Sequence, residues 1–302
     1  MARLVEIAAR IANVEELLGI VSAMRSLAGV RMRQALEVLG GIRRYSEVVG
    51  AAISRAMAFV PEDERPDRQG GRGRTRAARR VLLVFGSEHG FAGGFNDRLL
   101  DHADRTMGER GGRLVLVGSR GAVVAEGRAP AEAREPLWAT PMATTPQTVP
   151  EVAQHIAAEL YRRMGRGEVE EADVLYCRSD PGGTLRIVEE RLLPPDLSRF
   201  PAAADALPPL HHLPAGVLLE RLAGEYVIAE LTRVVMESLA SENAARLAAM
   251  EAARENVGKK LDELREEERR IRQDEVTIEL LDVVTGAEAL RPDVEPITRP
   301  SG

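Results

Sequence analysis

The chain has 302 residues, of which 44% are hydrophobic and only 3% aromatic, and its formal net charge is −6. That length allows two structural units, and a chain rich in Ala, Leu, Glu and Arg but poor in large rings suggests long helices with thin seams rather than one compact core. The acidic balance leaves no nucleic-acid footprint, the lone Cys177 excludes an internal disulfide framework or a multi-cysteine zinc site and fits a reducing compartment, and the lack of any apolar run of about 18 residues excludes direct membrane insertion.

Residues 1–60 carry the clearest periodicity. Alternate steps of three and four from Leu4 reach Ile7, Ile11, Val14, Leu18, Val21, Arg25, Ala28, Met32, Ala35, Leu39, Ile42, Ser46, Val49, Ile53, Ala56 and Val60. Fifteen of these 17 positions are apolar, which predicts a coiled-coil helix rather than an ordinary globular one. Arg3, Glu6 and Arg10 interrupt its start, unlike a secretory signal. Gly40 and Gly41 predict a weak point or bend. An unbroken helix of this length would run about 85 Å.

Residues 61–79 hold an arginine- and glycine-rich stretch expected to be a solvated linker. From 80 to 195 the period changes. VLLVFG (81–86), RLVLVG (113–118), ADVLYC (172–177) and LRIVEERLLP (185–194) read as strands. Asn96–Gly108 and Val149–Arg163 read as helices, and the proline- and threonine-rich 130–150 as a loop. Strands alternating with helices predict a mostly parallel sheet. A proline- and alanine-rich connector spans 196–216.

Residues 217–290 contain no proline and predict a second long helix, with Val257, Leu261, Leu264, Ile271 and Ile278 marking a seam broken by Glu268 and Glu275. Over 218–290 ten Lys/Arg stand against seventeen Asp/Glu, a net of −7, whereas residues 1–60 carry eight Arg against five Glu, a net of +3. Opposite signs favour pairing of the two ends of the chain. The expected architecture is an α/β fold: a long antiparallel coiled coil of N- and C-terminal helices plus a Rossmann-like α/β domain. Residues 291–302, with Pro292, Pro296 and Pro300, read as a disordered tail.

Few residues suggest chemistry. Gly86, Gly90, Gly93 and Gly94 follow a strand, but the spacing is neither GxGxxG nor a Walker loop and no lysine follows. Gly90 and Gly93 are expected to permit a tight strand-to-helix turn. His211 and His212 lack a nearby cysteine partner for a metal. Cys177 reads as a small buried hydrophobe, and Ser87, His89 and Asp97 lie too close in sequence to be read as a triad.

Three segments resemble one family. RIANVEELLGIVSAMRSLAGVRMRQA (10–35) is similar to its opening helix, with Ala23-Met24 followed by Arg31-Met32-Arg33. VLLVFGSEHGFAGGFN (81–96) resembles its strand and Ser/Thr-Asp-x-Gly-Leu-x-Gly-Gly-x-Asn turn, with Glu88 in the Asp place and Phe91 and Ala92 in the Leu and Cys places. ESLASENAARLAAM (237–250) with RQDEVTIELLDVVTGAEAL (272–290) is the most specific pair. The family is the gamma, or central-shaft, subunit of F-type rotary ATP synthases. Val21, Ser22, Arg25 and Ser26 stand where the family is lysine-rich, and Arg269 where it has Asn, as in a divergent or alternate-operon member.

The resemblance implies a non-catalytic rotor without a cofactor, turning inside a hexamer of alpha and beta subunits that bind and make ATP. It further implies an epsilon-type subunit and the membrane ring as partners at the lower end, and a peripheral location on the cytoplasmic face of the inner (plasma) membrane. It leaves protons and sodium ions equally open as the driving ion. Carried over residue by residue, it implies that Met24, Arg25 and Arg246 touch the lower beta-subunit lever, and that Arg272, Gln273 and Thr277 meet beta-subunit loops. It also places the end of the bearing near Leu290, so that residues 291–302 emerge beyond it. Two alternatives compete: a dinucleotide-binding enzyme on the α/β domain, and an unrelated coiled-coil scaffold.

Overall fold

The computed structural model describes residues 2–59, 79–128, 136–180, 184–196, 199–200 and 212–289. The linker at 61–78, His211 and the tail at 291–302 lie outside these residues. The chain divides into two compact units, one of residues 24–250 and one made by residues 1–23 with 251–302.

The element order is α1 (Ala2–Met57), β1 (Arg80–Phe85), α2 (Phe95–Arg110), β2 (Arg113–Val117), α3 (Ser119–Arg128), β3 (Trp138–Thr140), a 3-10 turn (Pro146–Thr148), α4 (Val149–Gly165), β4 (Glu171–Ser179), β5 (Leu185–Leu193) and α5 (Ala215–Ala289). The strands form one sheet in the order β3-β2-β1-β4-β5. Three pairings are parallel, and β5 joins β4 antiparallel. The central register aligns Leu83 with Val115 on one side and Val174 on the other.

Every residue of β1 is buried, as expected of a strand covered on both faces. Its side chains alternate between two layers. Val81, Leu83 and Phe85 pack with Ala153, Ile156 and Leu160 of α4 and with Val227, Leu231 and Val235 of α5. Leu82 and Val84 pack with Phe95, Leu99 and Ala103 of α2 and Ala125 of α3. The thiol of Cys177, in the second layer, is fully buried, and burial pushes its pKa up to about 12. The folded chain should therefore resist iodoacetamide at neutral pH and label only after denaturation. Labelling of the native protein within minutes would contradict this packing.

The N-terminal seam is observed in full. Every described position from Leu4 to Ala56 in the three–four series is buried or half-buried, including Arg25 and Ser46, while Val5, Leu17, Ile20, Leu27 and Val30 off the seam are exposed. The helix runs through Gly40 and Gly41 without a break, because neighbouring seam contacts at Leu39 and Ile42 outweigh the propensity cost of two glycines. In the larger unit α1 and α5 run antiparallel. Ile53 shares a cluster with Leu219, Arg43 bonds Glu237 at 2.9 Å, and Gly29 lies beside Leu247. In the smaller unit Glu15 pairs with Arg265 at 2.7 Å and Arg3 with Glu267 at 3.8 Å. There Ile7, Val21, Leu261, Leu264 and Ile271 are buried.

Three expectations need correction, and one element had no counterpart in the sequence reading. Ile278 is exposed rather than part of the seam: Arg3 is already opposite Glu267, so α1 has run out of residues to face it. The stretch 130–150 holds β3, which pairs Val115–Val117 of β2. Residues 119–128, left without an element by the sequence, form α3. Gly90 has open space around its Cβ position and no left-handed backbone, whereas Gly93 has φ +58° and Gly118 φ +113°. The close backbone approach is made by Gly86, Gly118 and Gly121. A Cβ at Gly86 would lie 3.0 Å from the Gly121 Cα, and one at Gly118 would lie 2.6 Å from the Gly86 carbonyl oxygen.

Candidate functional site

The segment 237–246 puts charge inside the protein. Glu237, Ser238, Ser241, Glu242, Asn243 and Arg246 are all buried, although they occupy the middle of a long helix where such residues ordinarily face water. Their partners explain it. Glu237 accepts bonds from Arg43 of α1 at 2.9 Å and Arg178 of β4 at 2.7 Å, with Arg233 at 3.4 Å. Arg178 and Arg233 each donate to the Tyr176 hydroxyl at 2.7 Å, and Arg233 reaches Glu190 of β5 at 2.6 Å. Burial alone would raise the Glu237 pKa, but Arg178, Arg233 and Arg43 outweigh it and hold the carboxyl below its ordinary range. Burial also pushes Tyr176 up to about 12. The Ser241 hydroxyl donates to the Cys177 carbonyl at 2.8 Å. This polar face of α5 therefore joins α1 and the sheet within the larger unit.

One turn further, α5 grips the loop that follows β1. Glu242 accepts the backbone N–H groups of Glu88 at 3.1 Å and His89 at 3.2 Å, and a bond from Arg246 at 2.5 Å. Arg246 in turn donates to the carbonyls of Gly90 at 3.1 Å and His89 at 3.2 Å. From the other side, Asn96 accepts from the Ser87 N–H at 2.9 Å and donates to the Ser87 hydroxyl at 2.8 Å. The Glu88 carboxylate accepts from the Ser119 N–H at 2.9 Å, its hydroxyl at 2.7 Å and the Met142 N–H at 2.7 Å. Burial would raise the Glu88 pKa, yet these donors lower it overall. Within this frame Phe91 adopts φ +63° and is 68% exposed. A left-handed backbone at a bulky residue costs about 1–3 kcal/mol and persists only where surroundings impose it.

This geometry bears on the dinucleotide reading. A phosphate would need the free N–H groups at the carboxyl end of β1. The N–H groups of Glu88 and His89 are instead given to the Glu242 carboxylate.

The six contact candidates divide equally between the units. Met24 and Arg25 are half-buried on α1 and Arg246 is buried. Met24 and Arg246 line one cleft of about 250 Å³, together with Leu27, Arg31 and Phe91. In the smaller unit Arg272, Gln273 and Thr277 are exposed on α5. Arg272 pairs with Glu268 at 2.8 Å, and the Thr277 hydroxyl donates to the Gln273 carbonyl at 2.8 Å. Beside and beyond them Val276, Ile278, Leu280, Leu281, Val283 and Val284 are between 49% and 69% exposed.

A larger cleft of about 940 Å³ lies in the larger unit beside Arg43, Arg178 and Arg233. These arginines are already bonded to Glu237, Glu190 and Glu230. Among the described residues, no helix is long and apolar enough to cross a membrane, and no His, Cys, Asp or Glu cluster is arranged to hold a metal.

Sequence reasoning noted Glu88 only as the residue in the Asp place of the turn and gave Glu237 and Glu242 no role of their own. The available signal was spacing: polar residues 237, 241 and 246, and 238, 242 and 246, recur at steps of four to five or of four along an alanine- and leucine-rich helix, which keeps them on neighbouring faces.

The ATP synthase family model matches residues 3–290. The ATP synthase gamma chain of Sorangium cellulosum (strain So ce56) is 29% identical, over 96% of this chain and all of the relative. That of Solibacter usitatus (strain Ellin6076) is 28% identical, over 96% of this chain and 99% of the relative. Among solved structures, a chain of the Euglena gracilis mitochondrial ATP synthase rotor aligns with TM-score 0.60 at 14% identity, covering 91% of this chain and 99% of that one. A chain of the Tetrahymena thermophila mitochondrial ATP synthase central stalk and c-ring aligns with TM-score 0.55 at 17% identity, covering 78% and 99%. With the fold shared and the family model spanning nearly every residue, the chain belongs to the ATP synthase gamma-chain family.

Proposed function

We propose that the chain is the non-catalytic central shaft of an F-type ATP synthase, turning inside a hexamer of alpha and beta subunits where ATP is bound and made. In this reading an epsilon-type subunit and the membrane ring hold its lower part, peripheral to the cytoplasmic face of the membrane. The observation that carries it is the end of α5. Six aliphatic side chains from Val276 to Val284 stand exposed on a helix, with no packing partner among the described residues. Each would gain about 1.5–3 kcal/mol from full burial, so a sleeve supplied by other subunits suits them.

A single chain has no threefold symmetry, so three beta subunits around it meet three different surfaces. Each beta subunit's conformational equilibrium is then biased differently, and rotation moves the bias from one to the next. Arg272, Gln273 and Thr277 are proposed to face beta-subunit loops, and Met24 and Arg25 the lower beta-subunit lever. Arg246, assigned to the same lever by resemblance, is better placed to support the loop after β1 than to touch a partner.

Co-expression with the alpha and beta subunits should yield a stable complex with ATPase activity that the chain alone lacks. Substituting Leu280, Leu281 and Val284 together by Ser should leave the chain's own unfolding midpoint unchanged, because these side chains bury nothing within it, while cutting the yield of that complex about tenfold. An unchanged yield would remove the sleeve from the account.

A further inference from the structure

Helix α1 contains glycine at 19, 29, 40, 41 and 50, and four of these positions have room for a side chain. At Gly19, Gly29, Gly40 and Gly41 an added Cβ would meet open space or ordinary contacts of 3.7 Å or more. At Gly50 it would lie 2.7 Å from Cε1 of Phe200 and 3.3 Å from Cδ1. Glycine is unfavourable inside a helix relative to alanine, and here the notch it leaves is filled by the Phe200 ring. The ring also meets Tyr226 of α5 edge to face, with centroids 5.1 Å apart and planes at 80°. Both rings pack on Val49, Ile53, Ala56, Met57 and Leu219, a cluster separate from the two layers over the sheet. Phe200 belongs to neither helix. It comes seven residues after Leu193, the buried last residue of the edge strand β5. One short stretch of chain therefore ties the edge of the sheet to both helices, all within the larger unit.

We propose that Phe200 is a wedge that fixes the twist of the α1–α5 pair around Gly50 to the α/β domain. With the ring seated, the two helices and the sheet turn as one body; with the ring withdrawn, the helices twist independently of the sheet. The Glu237 network already joins α1, α5 and β4, but a single joint is a pivot. Tyr226 stands eleven residues before Glu237 on α5, about 16 Å along the helix. A second tie at that distance stops rotation about the first. An edge-to-face pair sets the orientation of the rings as well as their separation, and a ring held in a notch resists sliding of the helices as well as their parting, because close-packed contacts do not deform continuously. The inference rests on the chain being a rotating shaft, in which twist between parts carries the work.

The test measures ATP-driven ion pumping relative to ATP hydrolysis in membrane vesicles carrying the whole synthase, beside the unfolding midpoint of each variant chain. Phe200→Ala should lower pumping several-fold relative to hydrolysis. Gly50→Ala, whose Cβ expels the ring, should do the same and should lower the midpoint. The double variant separates a wedge from a space-filler. In the Phe200→Ala background, Gly50→Ala should hold or raise the midpoint, because its Cβ meets no ring and alanine favours the helix. Pumping should nevertheless stay low, since nothing then ties the connector to the notch. Unaltered pumping in an assembled Phe200→Ala complex, or pumping that recovers together with the midpoint in the double variant, would overturn the proposal. So would a Gly50→Ala chain with the parental midpoint, which would mean that the ring does not occupy the notch. Failure of the unsubstituted synthase to assemble and pump would sink the shaft reading itself, whereas normal pumping by the variants sinks only the wedge.

Discussion

Replacing Glu237 by Gln should lower the unfolding free energy by about 3 kcal/mol. The carboxylate is 2% exposed and is approached by three guanidinium groups. Removing its charge leaves Arg43 without this partner and leaves Arg178 and Arg233 with only Glu190 and Glu230 against them, and breaking a buried pair in this way costs about 3–5 kcal/mol. The lower end of that range applies because Arg43 and Arg178 are 50% and 36% exposed and regain water, while Arg233, 10% exposed, does not. Acid should erase the difference. The Glu237 pKa is depressed in the folded chain from its ordinary 4.5. Its contribution is therefore fully present above 4.5 and is lost as pH falls through the depressed folded value. Urea titrations at pH 7 and below pH 4 should show the gap between the two proteins narrowing. A difference under about 1 kcal/mol at pH 7 would mean that the network is solvated.

Gly118→Ala should be at least as damaging. Its φ of +113° is closed to side chains, and a Cβ there would lie 2.6 Å from one carbonyl oxygen and 2.8 Å from another, both on the backbone of Gly86 and Ser87. Neither atom yields without moving the end of β1, so the expected loss exceeds about 4 kcal/mol. Gly90→Ala is the matched control. With open space and no left-handed backbone, it should change stability by less than about 0.5 kcal/mol. Thermal unfolding of the two variants decides the point. Equal losses would mean that the turn depends on glycine at 90 after all.

The contrast between these two glycines shows what was legible in the sequence. A glycine-rich turn after VLLVF could be read from composition, but which glycine the fold requires depends on β2 and α3, more than twenty residues away. The N-terminal seam was fully legible because a 3.5-residue period is local information. The buried charges were not. Glu237 owes its burial to Arg43, 194 residues away, and Arg178, 59 away, and by default a glutamate on a helix reads as solvated. Strand β3 has three residues and carries no alternation to detect. Helix α3 hides behind Gly121, Val123 and Val124, which are weak helix formers. Among the site candidates, the resemblance brought Met24 and Arg246 to one cleft, but it gave no sign that Arg246 is buried, because that follows from Glu242 and the loop after β1.

The central claim is that this chain turns while its partners catalyse. Glu126 is exposed on α3, and Glu126→Cys offers an attachment point for a gold bead, since Cys177 is buried. With the hexamer of alpha and beta subunits fixed to glass, adding ATP should make the bead revolve in one direction in three equal steps per turn, and withholding ATP should stop it. A complex that hydrolyses ATP while the bead stays still would contradict the account.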